Sequence, residues 1–220
     1  TCVWGNIWVE TATDNACRIL EIGGRTDIPV AMGAAKPLIG PLWNLLGGVH
    51  GDDGQGNTNP SPPTTTPVAE SAVQMLIRLA HEYPGELTLV PIGPLTNIAM
   101  ALAADPAIAR LYKEVVIMGG NFQHPGNASK WGEANIWHDP EAAQIVLEAG
   151  WPITLVGLDV TMTALLNESQ LADLGRSERP EARHLNQISQ YYLDRYAARR
   201  GVRECSMHDA LALAICHGAF

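Results

Sequence analysis

Four short stretches of the chain bring together residue types that can do chemistry. The first is Val49-His50-Gly51-Asp52-Asp53-Gly54, where two carboxylates and an imidazole share a glycine-rich loop. Such a group can hold a cation or pass protons, and it is equally a solvated turn, because Asp and Gly are turn formers. The second, Pro91-Ile92-Gly93-Pro94-Leu95-Thr96-Asn97, breaks a strand-like run into a helix-like one. Thr96 suits helix capping there, while a carbonyl freed by the break suits a hard cation such as Ca²⁺. The third runs from Asn127 to Asn135 and carries Glu133 between its two amides. Amides and a carboxylate together can donate to and accept from neighbouring hydroxyls, although surface loops share that composition. The fourth is Ser206-Met207-His208-Asp209, followed by an apolar run. Ser206 and Asp209 have the spacing of a capping box with Asp in place of Glu. A His-Asp pair at the mouth of a buried helix is costly unless it is paired or coordinated, which makes function as good a reading as capping.

These stretches sit next to short apolar segments that read as strands. Thr1 to Trp4 resembles a strand end, Ile28–Met32 is short and apolar, and Leu87–Ile92, Val115–Met118 and Ile153–Leu158 resemble strands. Between them the spacing predicts helices over Val9–Leu20, Val68–His81, Leu95–Ala103 and from Asp139-Pro140 to about Ala149. Further helices are predicted at Glu168–Leu174, Pro180–Arg199 and Met207–Ile215. Strands alternating with helices predict an α/β fold, with a mostly parallel sheet covered by helices on both faces. Such sheets bind ligands beyond the carboxyl ends of their strands, where the four stretches lie. No internal repeat or linker divides the chain. Gly47 to Pro67 is long for a connection, as a site loop or a disordered one would be.

Composition removes several classes of function. Fourteen Lys and Arg against 23 Asp and Glu give a net charge of −9, so nucleic acid is not an expected partner. No apolar run approaches the ~18 to 20 residues of a membrane span, and a membrane is not expected either. At 46% hydrophobic residues the chain has enough apolar material for a core. The phosphate-binding, nucleophile-elbow and dinucleotide motifs are absent. Cys2, Cys17, Cys205 and Cys216 form neither C-x-x-C pairs nor zinc spacings, and a reduced, cytoplasmic setting is the default.

Taken in order, the stretches resemble the inosine-uridine preferring nucleoside hydrolase family. The resemblance is carried by VWGNIWVETATDNACRILEIGGRTDIPVAMGAAKPL, VHGDDGQG, VPIGPLTNIAMAL, VVIMGGNF, GNASKWGEANIWHDPEAAQIVLEAG, GLDVT and HDALALA, and it covers essentially the whole chain. It implies a single α/β domain, Rossmann-like, that cleaves the N-glycosidic bond of small-molecule ribonucleosides to ribose and free base. It also implies a bound Ca²⁺, a homo-oligomer (dimer or tetramer) and a role in nucleoside salvage. By the same resemblance, Asn6, Met118, Asn127, Glu133 and Asn135 contact the ribose, and His50 lines a base pocket open to pyrimidines. Thr96, through its carbonyl, and Asp209 are metal ligands. His208 stands near the leaving base, and His208 with Asn127 is catalytic.

Two departures accompany the resemblance. Ala134 stands where the family often has Phe between its Glu and Asn. The aspartate cluster D-x-D-x-x-x-D-D, with which the family opens, has no counterpart, and Asp52-Asp53 belongs to the later VHG loop. The expectation from sequence is therefore a domain over residues 1–220 that is incomplete at both ends and lacks its first strand and main calcium ligands. A truncated homologue that binds ribose or nucleoside without turnover is the alternative. A different sugar-processing enzyme using Asp52, Asp53 and Glu133 is a third.

Overall fold

The computed structural model describes residues 1–42 and 48–218; Gly47, the first residue of the expected long loop, lies outside them. Along the chain come α1 (Val9–Ile22), α2 (Ala72–Glu82), β1 (Thr88–Leu89), α3 (Thr96–Ala104), α4 (Ile108–Leu111) and β2 (Glu114–Met118). There follow α5 (Ala134–His138), α6 (Pro140–Leu147), β3 (Ile153–Val156), α7 (Leu158–Thr161) and β4 (Leu165–Asn167). The last elements are α8 (Glu168–Gly175), α9 (Pro180–Arg200), β5 (Glu204–Ser206) and α10 (His208–Cys216).

Strand β2 organises the core. It pairs in parallel with β1 on one side and β3 on the other, with Val115 opposite Ile153 and Met118 opposite Val156. The pleat sends alternate side chains to opposite faces. Val115 and Ile117 enter a cluster with Leu76, Ile98, Leu102 and Val146, from α2, α3 and α6. Val116 and Met118 enter another with Leu158 of α7 and Ala212 of α10. Both faces are thus covered, as the continuous apolar run of β2 requires. A second, antiparallel pair, β4 with β5, packs through Cys205 against Leu171 of α8 and Leu193 of α9. Three-residue strands show no period, and the sequence does not betray this pair.

Local chemistry sets the helix starts. Ser71 caps α2 in a reciprocal box with Gln74, so the helix begins at Ala72 and not at the expected Val68. Asp139 caps α6 with Pro140 in its first turn, as the sequence predicts. Two expected caps are corrected. Thr96 does not cap α3, because its hydroxyl instead donates to Asp139 at 2.7 Å. Ser206 does not cap α10, because it belongs to β5 and Met207 holds the cap position without a side-chain bond.

One expected strand end is also corrected. Residues 1–4 are not a strand, and neither is the apolar run 28–32, although Cys2 N–H donates to Ala31 O and Trp4 N–H to Ala34 O. Buried Asn97 reaches into this pairing, accepting from Ala34 N–H at 2.8 Å and donating to Cys2 O at 2.8 Å. The insertion needs Gly33, where a Cβ would stand 2.3 Å from Asn97 Oδ1 and 2.4 Å from Cys2 O. One carboxamide therefore does the work of a strand ladder there.

The long loop is ordered by polar contacts with α1. Asn15, Arg18 and Glu21 recur every three residues on one side of that helix. Asn15 donates to Asp53 O, Arg18 donates to Ser61 O, and Glu21 accepts from the amides and hydroxyls of Thr64 and Thr65. Asp53 itself accepts from the amides of Gln55, Asn57 and Asn59, which makes it a turn former.

Two outcomes follow. Gly33→Ala is expected to lower stability by about 1–3 kcal/mol through the clash at Asn97, read as a fall in denaturation midpoint. The Thr65 amide, with the other Thr64 and Thr65 donors, holds the Glu21 carboxyl at about 2, below its ordinary 4.5. The tether is complete above that ordinary value and is lost as pH falls towards 2. Amide exchange at Thr64 and Thr65, corrected for intrinsic rate, should become relatively faster over that window, and Glu21→Gln should abolish the pH dependence.

Candidate active site

A cleft of about 410 Å³ opens beyond the carboxyl ends of β1 and β2. Strand β2 delivers Met118 to its wall, and the segment after β1 delivers Ile92. Gly119-Gly120 then turns the chain into the loop that carries Asn127, Glu133 and Asn135. Asn6 comes from the first segment, His50 from the long loop, and His208 and Asp209 from the start of α10. Eight of the nine residues singled out by the sequence thus line one cleft, although they come from segments more than 200 residues apart. Thr96 is the exception. It is buried away from the lining, between Trp4 Nε1 and Asp139 Oδ2, while Ile92 of the same motif faces the cleft.

The polar residues of the β2 loop are half engaged by protein. Glu133 caps α5, accepting from Asn135 N–H, Ile136 N–H and Gly120 N–H at 2.9 to 3.1 Å. Burial nevertheless pushes its carboxyl above the usual range. Asn127 accepts from Ala134 N–H at 2.8 Å, leaving its amide donors for the cleft. Asn135 donates to Met118 O at 3.0 Å and leaves its carbonyl. Each side chain is oriented by backbone at one end and presents a donor or acceptor at the other, which suits a polyhydroxylated ligand.

The opposite wall is aromatic and basic. His208 Nδ1 lies 2.7 Å from Thr161 Oγ1, and its Nε2 lies 3.2 Å from the Tyr196 hydroxyl. Tyr192 donates to Tyr196 at 3.1 Å, and the His50 ring stacks on Tyr192 with centroids 4.9 Å apart. Burial, followed by the positive charge of Arg200, holds His208 down at about 4, so the imidazole is neutral at physiological pH. Asp209 opens on the cleft but is walled by protein elsewhere. That burial, followed by the Glu133 charge, pushes its carboxyl up to about 7. Burial also lowers His50.

The sequence reading missed the contribution of α9, whose Ile188, Tyr192, Tyr196 and Arg199 face the cleft. Their three- and four-residue spacing is the available signal, and it marks a helix face without saying what the face meets. Gln55 was missed as well. Among the described residues, no group of three or more His, Cys, Asp or Glu side chains converges as a metal cage.

Comparison with known proteins finds relatives over nearly the whole chain. The chain is 37% identical over 212 residues to uridine nucleosidase 1 of Arabidopsis thaliana, covering 96% of this chain and 63% of that protein. It is 40% identical over 217 residues to the inosine-uridine preferring nucleoside hydrolase of Crithidia fasciculata, covering 97% and 68%. The fold superposes on a plant nucleoside hydrolase with a TM-score of 0.91 at 39% identity, over 96% of this chain and 67% of the other. The chain therefore spans slightly less than two thirds of the plant uridine nucleosidase and slightly more of the other two. The family model described as inosine-uridine preferring nucleoside hydrolase matches residues 1–219. With its sequence matched from end to end by that model and its fold by a solved relative, the chain belongs to the inosine-uridine preferring nucleoside hydrolase family.

Proposed function

We propose that this chain serves the hydrolysis of the N-glycosidic bond of ribonucleosides, yielding ribose and a free base, with uridine and inosine both accepted. The observation that carries the reading is the convergence of eight expected site residues on one cleft that also holds the His208-Tyr196-Tyr192 row. The names of the relatives, a uridine nucleosidase and an inosine-uridine preferring hydrolase, support this base range.

Asn127, Glu133 and Asn135 bind the ribose hydroxyls with the donor and acceptor groups that the backbone leaves free. As the glycosidic bond breaks, positive charge develops on the sugar and negative charge on the departing base. The carboxylates of Glu133 and Asp209 favour the first, and a hydrogen bond from the base side favours the second. His208 takes that role. Its Nε2, 3.2 Å from the Tyr196 hydroxyl, hydrogen-bonds the departing base as negative charge grows there, and the proton that the base finally keeps is balanced by the one that the attacking water releases. His50, on its Tyr192 support, borders the base.

The family resemblance implies Ca²⁺, but the donors present here do not make its site. Ca²⁺ takes six to eight oxygens, whereas the expected ligands here are one carbonyl, of Thr96, and one carboxylate, of Asp209, and the Glu133 oxygens already accept three backbone amides. The reading also carries a cytoplasmic homo-oligomer acting in nucleoside salvage. No helix among the described residues is long and apolar enough to cross a membrane.

Release of ribose from uridine and inosine tests the reading, and its absence with both would overturn it. His208→Ala is expected to lower kcat on both substrates by roughly 10²- to 10⁴-fold; unchanged turnover would remove His208 from the chemistry. Calorimetric titration of Ca²⁺ into the 220-residue chain is expected to show no tight binding, and submicromolar affinity would show that its own residues suffice.

A further inference from the structure

The Gln55 side chain is the anomaly of the cleft wall. It is 2% exposed, and neither its Oε1 nor its Nε2 has a hydrogen-bond partner. Its backbone, by contrast, is fully engaged. Gln55 N–H donates to Asp53 Oδ1 at 2.7 Å, and Gln55 O accepts from the Thr58 hydroxyl at 3.0 Å. The neighbouring Gly56 N–H donates to His50 O at 2.7 Å. Gly56 also lets the loop lie flush on α9, since a Cβ there would stand 2.5 Å from Ile188 O. The loop is therefore pinned, and only the side chain is free to move. Leaving a buried donor or acceptor unpaired destabilises the folded chain. Within a protein such a group calls for a partner that arrives later.

We propose that Gln55 is a base-reading residue whose carboxamide turns into the cleft and pairs with the lactam edge of the base. The inference rests on the hydrolase reading above and adds to it the chemical feature that selects the base. Gln55 lines the same cleft as His50 and Tyr192, whose rings stack, and its neighbour Gly56 is hydrogen-bonded to His50 O. A carboxamide carries an acceptor and a donor side by side. The –CO–NH– edge shared by uracil and hypoxanthine carries the complementary pair, so Oε1 accepts from the ring N–H while Nε2 donates to the carbonyl. The three side-chain torsions of Gln allow the turn, and it gives up no hydrogen bond, because the sealed amide has none to lose. This accounts for one group serving both a pyrimidine and a purine.

The test compares uridine with 3-methyluridine, whose N3 can no longer donate, in the wild type and in Gln55→Leu. The wild type is expected to prefer uridine in kcat/KM, and Gln55→Leu to shrink that preference by roughly 2- to 13-fold, the worth of the one hydrogen bond that N3 donates. Leu replaces a buried unpaired amide with an apolar group of similar size, so the thermal midpoint should hold or rise. A preference that is the same in both proteins overturns the inference, and so does a variant whose preference shrinks only because it has unfolded. p-Nitrophenyl riboside, which has no lactam edge, separates the two readings. If the wild type cleaves it and the uridine preference ignores Gln55, the base-reading role falls while the hydrolase reading stands. If the wild type cleaves neither it nor uridine, both fall.

Discussion

A buried side chain, Asp139, ties the site to the scaffold. It is fully excluded from solvent and accepts from Thr96 Oγ1, Leu38 N–H and Ala142 N–H. A buried carboxyl is costly without partners, and these three satisfy it. They also join the start of α3, the start of α6 and the segment that runs past Gly33. Thr96 passes the connection to Trp4 through the indole N–H. Because α5 ends immediately before Asp139, this anchor sets where Glu133 and Asn135 stand. The hydroxyl-recognising wall is thus held by a polar contact outside the cleft.

The opposite wall is held differently. α9 and α10 bring two tyrosines and a histidine into one hydrogen-bonded row that ends on Thr161 of α7. His208 is neutral there because it is buried near Arg200, while Asp209, next in sequence, is pushed the other way by burial and by Glu133. Adjacent residues on one helix turn therefore have opposed acid-base character, set by surroundings and not by sequence. The cleft thus joins amide and carboxylate groups with an aromatic and imidazole row.

The long loop joins these parts. Its composition reads as a mobile or disordered connection, yet α1 grips it at three points and Asp53 folds its turn internally. It presents His50 and Gln55 to the cleft and lays Gly56 against α9. Polar contacts at a distance in sequence order it, and these leave no local signature.

By itself the sequence determined the α/β class, most helix bounds to within a few residues, the Asp139-Pro140 start of α6 and most of the lining residues. Helix periods, caps and the apolar run of β2 are interactions within a few positions, so they can be read locally. The resemblance added which polar residues to watch. Only the tertiary structure decided that Thr96 faces Asp139, 43 residues on, instead of the cleft. It also decided that Asn97 replaces a strand ladder at Cys2, 95 residues away, and that a face of α9 completes the base side. These outcomes depend on which distant groups meet and on what burial then demands of them, and a linear pattern contains neither.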